Sequence, residues 1–593
     1  MRRLAPAPPC ALSTLLAAGL AACLAACGDS GDGSASQAST TVPITATATA
    51  TDSATTTPTS GVSESASATD SAGTGSATDG ATSQPTTGNS NSDSNSNSAA
   101  DSGDTTSGFK FDLGDTGGMT SDTGMPIDKC KATDDNMNGV GDCTMKAPPD
   151  SFEPDIQWSW NGPGAEKESL VTPLVANLTD DDNNGVIDLC DIPDIVVTVT
   201  AFPAPGHIYV LDGATGSLHF MIPTAITWSI NPAIGDIDDD GIPEIIAAVG
   251  EGFGGPSSAI AFEHDGTVKW QSAGAVSHSQ GGAITLADLD NDGDVEILLD
   301  RLILDHMGNT VATLPENGVA DNFTTVAADL DGDGDLEVVI GANAYHHDGS
   351  VLFTNPGIEH GFAQVANLDA DPEPEIMING YAGLTLLEHT GAVKYQNMQP
   401  GGGQSWFRPG TIHDFDGDGV SEVATSASNS YVMFEGDGKV DWIAQVQDAS
   451  GWAAGTAFDF DGNGVAEAMY ADETNLYVFD GMGKPLLSVP RSAKTLAEYP
   501  VVADVDNDGS AEIVVVSDSG FANNQTAPTV QVIRDIEDRW IQPRRIWNQH
   551  TYHVTNVRED GKIPQFEKPW WKSLNTFRTN SQIEGGEVCI PPQ

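Results

Sequence analysis

The sequence predicts an all-β fold, a β-propeller of seven or eight four-stranded blades with acidic loops, preceded by a disordered linker. Three observations predict it. A nine-residue acidic stretch recurs eight times, its last acidic residues (194, 244, 296, 337, 375, 422, 467 and 512) lying 38 to 52 residues apart. A period of that size marks a repeat architecture. Each copy is preceded by a short apolar run and followed by a β-branched run, such as Ile245-Ile-Ala-Ala-Val or Ile513-Val-Val-Val. A third run then closes at an Asp-Gly or Thr-Gly hairpin signal before a fourth, as in Ile208-Tyr-Val-Leu-Asp212-Gly213. Four strands therefore fit each interval. Helical periodicity is hard to find anywhere in the chain.

The chain opens, at residues 1–27, on a targeting segment. Arg2 and Arg3 precede an apolar Leu/Ala stretch from Ala11, the layout of an export signal. It ends in Leu24-Ala25-Ala26-Cys27, which resembles the bacterial lipobox, so Cys27 is the expected lipidation site. Leu20-Ala21-Ala22-Cys23 is an overlapping match, but the polar chain begins only after Cys27. The expected location is the cell envelope, at the outer membrane or cell surface, with the membrane reached through that lipid. Residues 28–125 are almost wholly Ser, Thr, Ala, Gly, Asp and Asn. Such a stretch cannot bury enough apolar surface to offset its ordering entropy. It reads as a disordered tether with an r.m.s. reach of roughly 50–60 Å.

Residues 126–150 place Cys130 and Cys143 around a small cation-type loop, with Asp134, Asn136, Asn138 and Asp142 as candidate ligands. An exported compartment permits disulfides among Cys130, Cys143, Cys190 and Cys589. A Cys130–Cys143 bridge would staple that loop, and a Cys190–Cys589 bridge would tie the start of the repeats to their finish. The other pairings remain open.

Residues 151–535 carry the repeats. Side-chain oxygens at positions 1, 3, 5 and 9, with a backbone carbonyl at 7, can converge on one hard cation, and glycine at 6 allows the sharp turn. Without a cation, four carboxylates so close together repel. The candidate ligands are Asp180, Asp182, Asn184 and Asp188 in an expanded first loop that runs on to Asp194. They are Asp236, Asp238, Asp240 and Glu244 in the second, with Ile242 offering its carbonyl, and Asp288, Asp290, Asp292 and Glu296 in the third. The fourth has Asp329, Asp331, Asp333 and Glu337, the sixth Asp414, Asp416, Asp418 and Glu422. The seventh has Asp459, Asp461, Asn463 and Glu467, the eighth Asp504, Asp506, Asp508 and Glu512. The fifth starts at Asn367 and has Pro372 in place of the turn glycine, so its site is expected to be weak or empty. A ligand-rich, flexible oxygen set suits Ca²⁺, several per chain, better than magnesium.

These motifs resemble FG-GAP and VCBS-type repeats, the blades of the integrin α-subunit headpiece and of many exported bacterial proteins. The resemblance covers roughly residues 170–535. It implies a propeller in which each acidic loop binds calcium between the first two strands of a blade. Propellers of that family commonly have seven blades, against eight loops here. Either the ring has eight blades, or one module is a cap or is split across the closure.

From residue 536 to 593 the composition inverts. Arg539, Arg544, Arg545, Arg558, Lys562, Lys568, Lys572 and Arg578 interleave with Trp540, Trp547, Tyr552, Trp570 and Trp571. We read this as a segment that docks its tryptophans on the propeller, its charge complementing the acidic ring. A binding or catalytic surface using His550 and His553 is the other reading.

With 24 basic against 85 acidic residues, the formal charge is −61, which excludes nucleic acid as a natural partner. There is no Gly-x-Ser-x-Gly elbow, His-Glu-x-x-His or phosphate loop, so no catalytic residue is assigned and an enzyme is not expected. The function expected is a calcium-binding, lipid-anchored surface module for adhesion or ligand binding, with a glycan or protein as ligand. The alternatives are a polysaccharide-acting enzyme on the same scaffold and a purely structural envelope protein.

Overall fold

Eight short strands of small and apolar residues line one axis: Leu174–Ala176, Ala233–Gly235, Gly282–Ala287, Thr325–Ala328, Gly361–Ala366, Thr411–His413, Gly455–Phe458 and Val501–Ala503. They are rich in Ala, Gly and Val because side-chain room shrinks towards the axis. Each is the inner strand of an antiparallel four-stranded sheet, and the eight sheets are the blades of a propeller; the second and third blades each add a two-residue strand, Val276–Ser277 and Ile230–Asn231. The computed structural model describes residues 130–132, 141–148, 150–250, 255–277, 281–315, 324–401, 405–448, 452–520 and 527–592. These fall in one compact unit, Lys110–Gln593. Residues 1–27 with Cys27, residues 28–125, and Asp134, Asn136 and Asn138 lie outside the described residues.

The second strand of each blade, for instance Glu244–Gly250 or Glu512–Val516, is buried along nearly its whole length. Neighbouring blades cover both of its faces, which is why its sequence is an unbroken apolar run. Outermost strands instead alternate, as in Val440–Gln445, because one face meets solvent. The ring closes between chain ends. Val501–Ala503, Glu512–Val516 and Val530–Asp535 form the eighth blade, and Pro154–Trp160 adds its outermost strand, pairing Pro154 with Asp535 and Trp160 with Val530. Both readings of the repeat number therefore meet: there are eight blades, and the last is split across the closure.

Adjacent blades are keyed by one repeated contact. The outer strand of a blade lays a side chain on the hairpin glycine of the next. A Cβ on Gly216 would meet the Trp158 ring at 2.4 Å, and one on Gly308 would meet Trp270 at 2.6 Å. Trp158 Nε1 also donates to the Gly213 carbonyl at 2.6 Å, and Trp270 Nε1 to that of His306 at 2.8 Å. Glycine is thus required twice, for its positive φ and for the ring it admits.

Residues 540–590 run through the centre. Trp547 exchanges backbone hydrogen bonds with Val175 of the first blade at 2.9 and 3.0 Å. Asn548 O accepts from Ile234 of the second blade, and Gln549 Oε1 from Leu286 of the third. Trp570 Nε1 donates to Val365 O of the fifth, and Phe577 N to Ile412 O of the sixth. Thr579 bridges Ala457 of the seventh, and Asn580 Nδ2 donates to Val502 O of the eighth. The segment is an axial plug. Trp540, Trp547, Trp570, Arg544 and Arg578 are among the largest fully buried side chains.

The docking reading of the tail therefore stands, and the use of its charge is divided: Lys562 Nζ pairs with Asp239 of the second acidic loop, while the buried arginines turn elsewhere. Arg544 donates to Val554 O and Tyr552 Oη, and Arg578 to Gly410 O and His550 O. Inside the channel these guanidinium groups satisfy backbone carbonyls rather than the acidic rim. His553 sits between the Thr551 carbonyl and Glu567 Oε1, at 3.0 and 2.7 Å, tilted against Trp570 and stacked with Phe577.

Two disulfides join Cys130 to Cys190 and Cys143 to Cys589. The expected Cys130–Cys143 staple and Cys190–Cys589 tie are both replaced. Cys143 lies beside the end of the plug, its amide donating to Ile590 O, while the Cys130 carbonyl accepts from Leu189 in the first loop. Because Trp547 is fully buried at the axis, Trp547→Ala should cost about 3–5 kcal/mol. Denaturant unfolding will read this, and a loss near zero would show the plug to be dispensable.

Candidate metal centres

Every acidic loop lies between the first and second strands of its blade, so all eight sit on one rim of the ring. The ninth residue opens the second strand and is buried there: Asp194, Glu244, Glu296, Glu337, Glu375, Glu422, Glu467 and Glu512. In all eight, one carboxylate oxygen accepts the backbone amide of the loop's second residue, at 2.6 to 3.0 Å. This bond pins the loop and turns the second oxygen towards the other carboxylates.

The remaining positions fold by local turns. The first residue accepts from the turn glycine, as Asp414 does from Gly419 at 2.9 Å and Asp288 from Gly293 at 2.8 Å. The fifth accepts from the seventh amide, as Asp418 does from Val420 and Asp508 from Ser510. The turn glycines hold φ between 86° and 101°, a region closed to the proline at position 372 of the fifth loop.

In the sixth blade Asp414, Asp416, Asp418 and Glu422 bring one oxygen each within 4.8 Å of one another. Buried oxygens without a hydrogen-bond partner are Oδ1 of Asp288 and of Asp504 and Oε1 of Glu422 and of Glu512. These residues are at most 2% exposed. A buried carboxylate oxygen left open is costly unless a cation meets it. The donor set is all oxygen, acidic and multidentate, so the residues fit a hard divalent ion.

Burial sets the electrostatics. Desolvation pushes Glu296 and Glu422 up to about 8, Glu337 and Asp504 up to about 7, and Asp288 up to about 6. The neighbouring carboxylates push the same way. Glu467 and Glu512 rise well above the usual carboxylate range for the same reasons. The seventh and eighth loops are also covered by the chain ends. The Asp461 carbonyl accepts from Ala147, and Gln542 and Gln157 donate to Asp504 and Asp506.

Four loops contain what the repeat template did not show. In the first, Asp180 and Asp182 gather with Asp191, whose carboxylate takes the amides of Asp181, Asp182 and Asp188. Asp188 accepts from Cys190 N through Oδ1. Asp191 is the twelfth residue counted from Asp180, the bidentate position of a longer calcium-type loop, and that spacing was present in the sequence. In the fourth, His346 Nδ1 lies 3.1 Å from Glu337 Oε1.

The second and fifth loops each hold a lysine. Lys269 Nζ lies 2.5 Å from Asp238, 3.1 Å from Glu244 and 3.2 Å from Glu263. Lys394 Nζ pairs with Asp369, with Glu375 at 2.9 Å and with Glu388 at 3.2 Å. Asp142, of the small N-terminal loop, bridges Ile590.

Residues 236–299, spanning the second and third loops, match the FG-GAP-like repeat family. No curated protein matches the chain. Among solved structures it is similar to the V. cholerae biofilm matrix protein Bap1, at 20% identity and a TM-score of 0.63, over 74% of this chain and 100% of that one. This is a likeness of fold. The exotype rhamnogalacturonan lyase YesX (15% identity, TM-score 0.35, 76% and 98% covered) and a europium-containing methanol dehydrogenase (11%, 0.40, 66% and 90%) are too distant in shape to inform this chain.

The raised carboxylates give the metal-free protein a pH dependence of known sign. The folded state holds protons that the unfolded chain releases near pH 4–5. That stability is whole below about pH 4.5 and is lost as the pH rises through about 6–8. Chelated protein should therefore melt higher at pH 5 than at pH 8 in calorimetry. The opposite order would contradict the burial of these groups.

Proposed function

We propose that the chain is an exported calcium-binding propeller, lipid-anchored to the cell envelope through Cys27, that serves as an adhesion or ligand-binding module. The calcium reading is carried by the buried, partnerless carboxylate oxygens of Asp288, Glu422, Asp504 and Glu512, which sit among further carboxylates. The third, fourth, sixth, seventh and eighth loops would hold an ion through their first, third, fifth and ninth residues. The first would do so through Asp180, Asp182 and Asp191. Calcium supplies charge neutralisation and rigidity there.

Two disulfides support export, and the lipobox-like sequence before Gly28 supports the anchor. Among the described residues no helix is long and apolar enough to cross a membrane. The adhesion reading is supported by the fold shared with Bap1, itself a biofilm matrix protein. A glycan or protein ligand suits a head displayed on a long tether.

An ion that binds the folded loop alone stabilises by RT ln(1 + [L]/Kd). At millimolar calcium and a Kd of about 10⁻⁴–10⁻³ M, each site adds roughly 0.4–1.4 kcal/mol. Chelation should therefore lower Tm substantially, magnesium should restore it poorly, and Asp331→Ala with Asp333→Ala should remove a fraction of the effect. Calorimetric titration should find several sites per chain. Absence of both bound calcium and chelator sensitivity would falsify the reading.

The anchor is tested separately. Cys27→Ala should release the protein from membranes or leave it unprocessed, as read by fractionation and gel mobility. Identical behaviour to the parent ends the lipoprotein assignment.

A further inference from the structure

The eight loops differ in one respect that their acidic residues do not reveal. The ninth carboxylate of each uses one oxygen on a backbone amide. In the sixth and eighth loops the second oxygen, Oε1 of Glu422 and of Glu512, is open. In the second and fifth loops it is taken: Glu244 Oε1 meets Lys269 Nζ at 3.1 Å, and Glu375 Oε1 meets Lys394 Nζ at 2.9 Å. Each ammonium also holds the loop's third residue, Asp238 or Asp369, and a carboxylate from the following hairpin, Glu263 or Glu388.

Both lysines come from one position, the second residue of the blade's outermost strand, Val268–Gln271 or Val393–Met398. Each is followed by an aromatic residue, Trp270 or Tyr395. The hairpin bonds Glu263 N to Thr267 O and Glu388 N to Ala392 O fix that register. The same bonds place Val311, Leu352, Asp441 and Leu486 at the matching position of the third, fourth, sixth and seventh blades. None of these is basic. In the first blade the position holds His219, 3.4 Å from Asp194.

We propose that Lys269 and Lys394 are tethered cations that take the place of calcium in the second and fifth loops, so the ring loads an incomplete and asymmetric set of ions. The inference rests on the calcium reading of the other loops. An ammonium held by three carboxylates neutralises the buried ninth residue without a free ion. A divalent ion entering beside it meets like charge in a partly desolvated pocket. The second loop keeps its turn glycine and all four acidic ligands; Lys562 reaches Asp239, which is not one of those ligands, so Lys269 is the cation that occupies the ligand set. In the fifth, Asn367 and Pro372 have also replaced the first carboxylate and the turn glycine.

The test counts ions on the full chain by equilibrium dialysis with elemental analysis, in millimolar calcium. Lys269→Met should bind one more ion per chain than the parent. In chelator, Lys269→Met and Lys394→Met should both melt below the parent. Calcium should return Lys269→Met to the parent Tm and leave Lys394→Met low. The reciprocal change at an exposed site, Val311→Lys, should lower the count by one, and keeps the test alive if a lysine variant fails to fold. An unchanged count in both Lys269→Met and Val311→Lys, with calcium bound by the parent, overturns this inference alone. A parent that binds no calcium overturns the calcium reading and this inference with it.

Discussion

A carboxylate buried at the head of each second strand must be neutralised, and much of the rim follows from that requirement. Its position is fixed by the fold, because the loop needs an acceptor for the amide of its second residue. One oxygen meets that need, and the other is left facing three more acidic groups in a desolvated corner. Three answers appear around the same ring. Some loops leave the oxygen open, the first and fourth place a histidine beside it in addition to their candidate ion ligands, and two supply a lysine from their own outer strand. The blades are alike in backbone and unlike in charge.

The second constraint is the axis. Eight innermost strands enclose a channel too wide for their own small side chains to fill. The C-terminal segment fills it with tryptophans and with arginines whose charge is spread over backbone carbonyls. Burying guanidinium groups there is tolerable because each finds several acceptors in fixed places. The plug binds blades that do not touch one another, so its packing makes the ring one cooperative body rather than a chain of repeats.

What was legible in the sequence was whatever depends on close spacing. A liganding loop needs its residues at fixed intervals, so the eight modules and the strands around them could be read directly. Asp191 was missed because a nine-residue template was laid on a twelve-residue loop. Lys269 and Lys394 were missed for a different reason. They reach their carboxylates from another strand, 25 and 19 residues beyond Glu244 and Glu375, and only register across the blade reveals the meeting. The hairpin glycines were read as turn chemistry, and their second task, admitting a ring from the preceding blade, belongs to packing. The tail's aromatic content signalled burial without saying where. Cysteine spacing suggested Cys130 and Cys143 as one pair and left Cys190 to Cys589, while the fold exchanged the partners.

The split eighth blade sets an order on assembly. Pro154–Trp160 emerges before the first blade during synthesis or export, yet its sheet partner, Val530–Asp535, emerges only after the seven intervening blades. Contacts so distant in sequence form slowly and leave an unpaired edge exposed in the meantime. The bond between Cys143 and Cys589 closes over 446 residues and can form only once the last turn of chain has arrived and lodged in the channel. Oxidation of that pair thus records that the end of the plug has reached the segment before the first blade. A chain that lacks Cys589 deprives Cys143 of this partner.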